Sequence, residues 1–222
     1  MNSFVFPDAH RILGIMCDLD GTLVDSRRDL TTAVNCMRAD FDLSPLSFEE
    51  VTSFIGNGAE KLVERSLRNT EIESANALKH FKTHYTAHLA DETCCYPGVP
   101  ETLKIITSRS IRCAVITNKP EEPARQVLRH TGLAEYFDPV VGGDTNPALK
   151  PNPYSLRHVM NQWQLEPSQV LMIGDHTTDI AAAHAAGVKS VFLKSGYGFS
   201  GEFQPDITLE SFSELAVLLG IH

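Results

Sequence analysis

DLDGTLVDS, residues 18–26, follows the apolar run ILGIMC at 12–17, and the junction between them governs how the rest of the chain is read. The run is strand-sized and lacks strict alternation, as expected when helices cover both faces of a parallel sheet. Asp18 and Asp20 are separated by one residue, so extended backbone points both side chains the same way. Gly21 then permits a tight turn. Two carboxylates at the end of a strand can hold a hard cation and still present an oxygen to a ligand. They can also serve structure alone, by capping the turn or the next helix.

Outward from this junction, CAVIT at 113–117, VLMI at 170–173 and SVFL at 190–193 read as further strands, with VV at 140–141 a short additional one. Helical patterns fall between them near 99–108, 121–131, 153–162 and 178–186, and again near 210–219. Gly132 and Gly187 supply left-handed positions after helices, while Pro120, Pro123, Pro151 and Pro153 mark turns or first helical turns. The expected fold class is α/β, a doubly wound and mostly parallel sheet forming a Rossmann-like core, with ligands at the carboxyl edge of the strands. Residues 28–91 break the alternation. LTTAVNCMRADF, EEVTSFIG, AEKLVERSL and ESANALKHFKTHYTAHL are helical in pattern, and none reads as a strand. A helical cap inserted after the first strand accounts for them; helices that simply cover the sheet are the alternative. The expected division is a core at 1–27 and 92–222 and a cap at 28–91, with CCYPGVP at 94–100 as the return.

A chain of 222 residues, 42% of them apolar, is long enough for one large domain or for a core with a small accessory domain. Nineteen Lys and Arg against 28 Asp and Glu give a formal charge of -9, which works against non-specific attraction to nucleic acid or an anionic membrane. A cation and a few local positive groups can still reverse the field inside a pocket. Cys17, Cys36, Cys94, Cys95 and Cys113 have no disulfide or zinc spacing, and Cys17 and Cys113 sit in apolar runs as buried thiols. MNSFVFPDAHR does not read as a secretory signal, and the apolar runs fall short of the ~20 residues that span a bilayer. A cytoplasmic monomer or homodimer is expected, with no nucleic-acid or membrane partner.

Three later segments fall at similar places after strands. Thr117-Asn118-Lys119 offers a hydroxyl, an amide and an ammonium; Lys150 lies in ALKPNP; Asp175 and Asp179 lie in GDHTTD. Each alone has an ordinary reading. Thr117 or Asn118 can cap a turn, Lys150 can face solvent, and Asp179 can cap the following helix. Their recurrence at strand ends points to one site.

Taken together, these residues resemble the haloacid dehalogenase-like hydrolase superfamily from about residue 12 to residue 207. Asp18, Asp20, Gly21 and Thr22 match its first motif, Thr117 and Asn118 its second, Lys150 its third, and Asp175 with Asp179 its fourth. Within the superfamily the chain looks like the phosphoglycolate phosphatase group, on DLDGTLVDS, FIGNGAEKLVERSL, YPGV, VITNKP, VGGD, KPNP and the YG pair at 197–198.

The resemblance implies a magnesium-dependent phosphomonoester hydrolase acting on a small phosphorylated metabolite. Asp18 would attack phosphorus to give an aspartyl-phosphate, and Asp20 would serve as general acid and base. Mg2+ would be held by Asp18, Asp175 and the backbone carbonyl of Asp20, with Asp179 in support. Thr117, Asn118 and backbone N–H groups near Leu19 and Asp20 would bind the phosphoryl group, and Lys150 would neutralise it. Asn57 and Gly58, in IGNGAEKL, would lie at a cap loop that selects substrate, or form only a loop and helix cap. His176 stands where the group usually has a small Ser; a hydrogen-bonding place beside the metal and a solvent-facing place both fit. 2-Phosphoglycolate is the expected substrate. Sugar phosphates, nucleoside monophosphates, pyrophosphate, a phosphosugar mutase reaction and a non-catalytic phosphate-binding role are the other readings.

Overall fold

Residues 11–221 are described by the computed structural model, so the amino-terminal stretch read for a secretory signal lies almost wholly outside the described residues. Five strands form where the apolar runs stand: β1 (Gly14–Cys17), β4 (Arg112–Ile116), β5 (Val140–Val141), β6 (Val170–Gly174) and β7 (Lys189–Leu193). β8 (Ile207–Leu209) completes a six-stranded sheet of order β5-β4-β1-β6-β7-β8, parallel throughout. Ile15 pairs with Cys113 on one side and Leu171 on the other.

Alternation across these strands gives the sheet two buried faces. Ile15, Cys17, Cys113, Val115, Leu171 and Ile173 point one way; Met16, Ala114, Ile116 and Met172 point the other. The first face is covered by α5 (Val99–Ser108), α6 (Glu121–His130) and α9 (Glu214–Leu218), through side chains such as Leu103, Val127 and Leu215. The second is covered by α7 (Tyr154–Trp163) and α8 (Thr177–Ala186). In α8 the alanines expected from DIAAAHAA, Ala182, Ala183 and Ala186, are buried there, and small side chains let that helix lie close to the strands. Gly187 ends it at φ 76°, where a left-handed residue closes the last turn.

Between β1 and α5 the chain forms four helices: α1 (Arg27–Ala39), α2 (Phe48–Thr52), α3 (Ala59–Ser66) and α4 (Ser74–Ala87). Leu30, Val34 and Met37 of α1 share one apolar cluster with Phe81 and Tyr85 of α4 and with Val51, Leu62 and Val63. Their ends are joined by a small antiparallel ribbon of β2 (Val24–Asp25) and β3 (Cys94–Cys95), with Val24 opposite Cys95. Asp29, buried at the start of α1, locks this junction. Its carboxylate accepts from the backbone N–H groups of Glu92 (3.0 Å) and Thr93 (2.9 Å) and from the Thr93 hydroxyl (2.5 Å). All five cysteines are free thiols, Cys17 and Cys113 buried as expected. No helix among the described residues is long and apolar enough to cross a membrane.

Replacing Asp29 with Ala strands three donors, two of them on buried Thr93, that a charged acceptor now satisfies. Asp29→Ala is expected to lower unfolding free energy by about 2–4 kcal/mol. Urea unfolding measures this, and a change under about 0.5 kcal/mol would show that water replaces the carboxylate there.

Candidate active site

Because every strand of the sheet runs the same way, their carboxyl ends share one edge, and β1 lies where the strand order reverses. Asp18 leaves β1 with its N–H on the carbonyl of Ile173 (2.9 Å), which continues the ladder by one residue. Thr117 does the same after β4, bonding to Val141 (3.0 Å). Lys150 arrives from the segment after β5, Asp175 from the turn into α8 and Asp179 from the first turn of that helix.

The turn at Gly21 is constrained twice. Its φ of 88° disfavours a side chain, and a Cβ there would lie 2.2 Å from Asp175 Oδ2. A Cβ on Gly174 would meet Asp179 Oδ2 at the same distance. These two glycines allow the acidic groups to close on the strand ends.

Oxygen atoms of Asp18, Asp175 and Asp179 all lie within 4.8 Å of one another, in a buried cluster. Lys150 Nζ stands 2.9 Å from Asp18 Oδ1 and 2.7 Å from Asp179 Oδ1, while donating to the carbonyl of Ile116 at 2.5 Å. The two carboxylate oxygens take the ammonium as an ion-pair partner without an aligned hydrogen bond. Asp175 is fixed by its neighbours: Oδ2 accepts from the N–H groups of Tyr197 (3.1 Å) and Gly198 (2.8 Å), and Oδ1 from the Thr22 hydroxyl (3.3 Å). Asp179 Oδ2 accepts from His176 N–H at 3.1 Å.

Electrostatics follow from this crowding. Burial, then the charges of Asp179 and Asp18, pushes Asp175 up to about 8. Burial also lifts Asp18 to about 6, against the lowering pull of Lys150. Burial alone would lower Lys150, but Asp179 and Asp18 outweigh it and raise its pKa. Three carboxylates facing one ammonium leave surplus negative charge, and an all-oxygen donor set with unbonded Oδ1 atoms fits a hard divalent cation.

Asp20 is engaged elsewhere. Both its oxygens meet Lys119 Nζ, at 2.7 and 2.8 Å, and Oδ1 accepts the Ser26 hydroxyl at 2.5 Å. Thr117 Oγ1 accepts from Lys119 N–H at 3.2 Å. Asn118, implied by the resemblance to touch phosphate, has its side-chain amide committed to the protein. Nδ2 donates to the carbonyls of Gly56 (3.2 Å) and Lys150 (3.0 Å), and Oδ1 accepts from Lys150 N–H (2.9 Å). It thereby ties the loop before α3 to two strand-end segments. Gly58, at φ 87°, brings that loop against Asn118; a Cβ would lie 3.3 Å from the Asn118 carbonyl. Asn57 Oδ1 accepts from Arg65 at 2.7 Å, and Arg65 also holds the carbonyl of Phe54 at 2.7 Å. Leu19 is fully buried.

His176 is buried at the start of α8, not solvent-facing. Its Nδ1 accepts from Thr178 N–H at 3.3 Å, and its ring lies under Gly56, where a Cβ would be 2.8 Å away. Burial lowers its pKa. Three participants carried little sequence signal. Lys119 was visible only as the neighbour of Thr117 and Asn118, the Tyr197-Gly198 N–H pair only as a short YG match, and Tyr85 not at all.

The profile of the family described as haloacid dehalogenase-like hydrolase matches residues 15–193. The chain belongs to this family. Phosphoglycolate phosphatase of Chromobacterium violaceum is 36% identical to it over 214 residues, which cover 94% of this chain and 96% of that protein. Phosphoglycolate phosphatase 1 of Pseudomonas aeruginosa is 40% identical over 212 residues, covering 90% and 77%. The crystal structure of "a predicted phosphoglycolate phosphatase" from Haemophilus somnus has the same fold, with a TM-score of 0.87 at 31% identity over 92% of this chain and 96% of that one. Within the haloacid dehalogenase-like hydrolases, the chain groups with proteins of that name.

Folding raises Asp18 and Asp175 from 3.8 to about 6 and about 8, so the folded chain binds more protons than the unfolded one between these values. The stability these carboxyls contribute is complete below about pH 4 and is lost as pH climbs through both folded values. In chelator, urea unfolding is therefore expected to show a weaker fold at about pH 8.5 than at about pH 5, with a smaller difference in Asp175→Asn. An identical pH dependence in that variant would rule out Asp175 as the group responsible.

Proposed function

We propose that this chain is a magnesium-dependent phosphomonoester hydrolase that works through an aspartyl-phosphate on Asp18 and takes 2-phosphoglycolate as substrate. The observation that carries the reading is the buried placement of Asp18 at the end of the central strand, 2.9 Å from Lys150 and within the cluster of Asp175 and Asp179. The substrate is supported by the names of relatives at 36% and 40% identity. The buried thiols and the lack of a membrane-spanning helix among the described residues are compatible with a cytoplasmic place.

An Asp18 oxygen attacks phosphorus as the bond to the ester oxygen breaks. Asp20 gives a proton to the departing oxygen, then takes one from the water that attacks the aspartyl-phosphate, and inorganic phosphate leaves. Lys150 offsets the charge of Asp18 and of the phosphoryl oxygens, which lets two anions approach. The Thr117 hydroxyl and the N–H groups of Leu19 and Asp20 bind the phosphoryl oxygens. Asn118 shapes this pocket from behind, by holding Lys150 and the Gly56 carbonyl in place. Asp18, Asp175 and the carbonyl of Asp20, with Asp179 behind them, would hold Mg2+, which would supply further neutralisation of charge on the phosphoryl group. Residues 28–91 act as a cap over a core formed by 1–27 and 92–222, and Asn57 and Gly58 lie on the cap loop that meets the site. A closed cap excludes water from the reacting phosphate.

Phosphate release with Mg2+ tests the assignment, with 2-phosphoglycolate set against sugar phosphates, nucleoside monophosphates and pyrophosphate. A preference of ~100-fold in kcat/KM, worth ~2.7 kcal/mol, is expected for 2-phosphoglycolate. Asp18→Asn is expected to lose at least ~1000-fold in rate and all trapped acyl-phosphate. A flat profile would remove the substrate, a phosphorylated isomer in place of free phosphate would indicate a mutase, and acyl-phosphate at residue 18 of the variant would remove the nucleophile.

A further inference from the structure

Lys119 is the second buried ammonium of the site, and the reaction set out above gives it no task. Its Nζ meets both oxygens of Asp20, at 2.7 and 2.8 Å, and stands 5.0 Å from the centre of the Tyr85 ring, which α4 brings in from the helical insert. Burial works against its charge, yet Asp20 and Tyr85 outweigh burial and raise its pKa. The Tyr85 hydroxyl is itself buried beside this ammonium and has no well-aligned hydrogen bond. An unbonded buried hydroxyl is costly unless an acceptor reaches it. On the Asp20 side of the site, then, stand an ammonium, an unused phenol hydroxyl and a carboxylate that the reaction requires at the ester oxygen.

We infer that Lys119, assisted by Tyr85, is the receptor for a carboxylate on the substrate, and that it selects phosphomonoesters whose ester carbon bears an acidic group. This rests on the phosphatase reading and sharpens its substrate class. Asp20 has to meet the ester oxygen, and Lys119 touches both oxygens of Asp20, so the ammonium stands one carboxylate away from that ester oxygen. In 2-phosphoglycolate a single methylene separates the ester oxygen from the carboxylate carbon. The substrate carboxylate takes the place of Asp20 on Lys119, one negative group exchanged for another, and Asp20, freed from the ammonium, takes up a proton from water and turns to the ester oxygen as its acid. An alkyl phosphate without the carboxylate makes no such exchange and leaves Asp20 held. Arg65 of α3 already has its guanidinium on the Phe54 carbonyl and Asn57. Among the described residues Lys119 is the cation paired with Asp20, whose release the reaction needs.

The test compares kcat/KM for 2-phosphoglycolate and for ethyl phosphate, which keeps the carbon skeleton but lacks the acid. The ratio is expected to fall about 30-fold in Lys119→Met, through KM for 2-phosphoglycolate, and to be partly restored in Lys119→Arg. Tyr85→Phe removes only an unbonded hydroxyl, so it keeps the test open if Lys119→Met misfolds; its ratio is expected to fall about 5-fold. Calorimetric binding of 2-phosphoglycolate to Asp18→Asn, with and without Lys119→Met, is expected to show the same loss without turnover. A ratio that survives at Lys119 and Tyr85, or that collapses instead in Arg65→Gln, overturns the inference while wild-type hydrolysis upholds the phosphatase reading. Wild-type protein that hydrolyses neither ester overturns both.

Discussion

Lys150 stands between Asp18 and Asp179, and much of the structure is arranged so that it can. Carboxylates this close, and buried, repel one another strongly in a medium less polar than water. One ammonium cannot neutralise three of them, and backbone N–H groups at Tyr197, Gly198 and His176 ease only part of the remainder. Each of those donors depends on a backbone position set elsewhere: the turn that closes after β7, and the first turn of α8. Gly21 and Gly174 matter for the same reason, since any side chain there would fill the space the carboxylates occupy. The site is therefore a balance of charge at close range, and the sheet supplies the rigidity that holds it.

Asn118 extends that balance outward. Its amide bonds to the backbone of Lys150 on one side and to Gly56 on the other, so the lysine and the loop of the insert share one support. Arg65 holds the same loop from the far side through Phe54 and Asn57. His176 fills the space beneath Gly56, in a position where a small residue would leave a gap. The loop thus meets the strand ends through one directed hydrogen bond and one aromatic ring, and the identity of residue 176 is tied to the fit of the loop above it.

The sheet was legible in the sequence because β1, β4, β6 and β7 are apolar runs bounded by turn residues, and because parallel strands place every strand end on one edge. Asp18, Lys150 and Asp175 could be gathered into one site on that ground alone. β8 was not visible: ITL at 207–209 is too short to carry a period. The β2–β3 ribbon has two residues per strand and exists only because the ends of the insert meet. α9 is shorter than the apolar pattern at 210–219 suggested, spanning Glu214–Leu218. The partners of Asp20 and Asn118 were equally hidden, since pairings such as Lys119 with Asp20 join positions far apart in the chain. Tyr85 had the weakest signal of all, an aromatic residue on the apolar stripe of α4 that looks in sequence like any other core residue.

The ribbon of β2 and β3 has a consequence for how such a chain can change. It brings the two ends of the helical insert to adjacent residues, so the core senses a long excursion as though it were a hairpin. The entropy lost in closing a loop grows only with the logarithm of its length, so insert size matters little to the core once the ends are joined. The pairing of Asp25 with Cys94 fixes where the helices leave and rejoin the core, whatever the length of chain between them. The helices above the strand ends are thus tethered to the core at the ribbon, at Asp29 and at Asn118, and a change in them is felt first at those places.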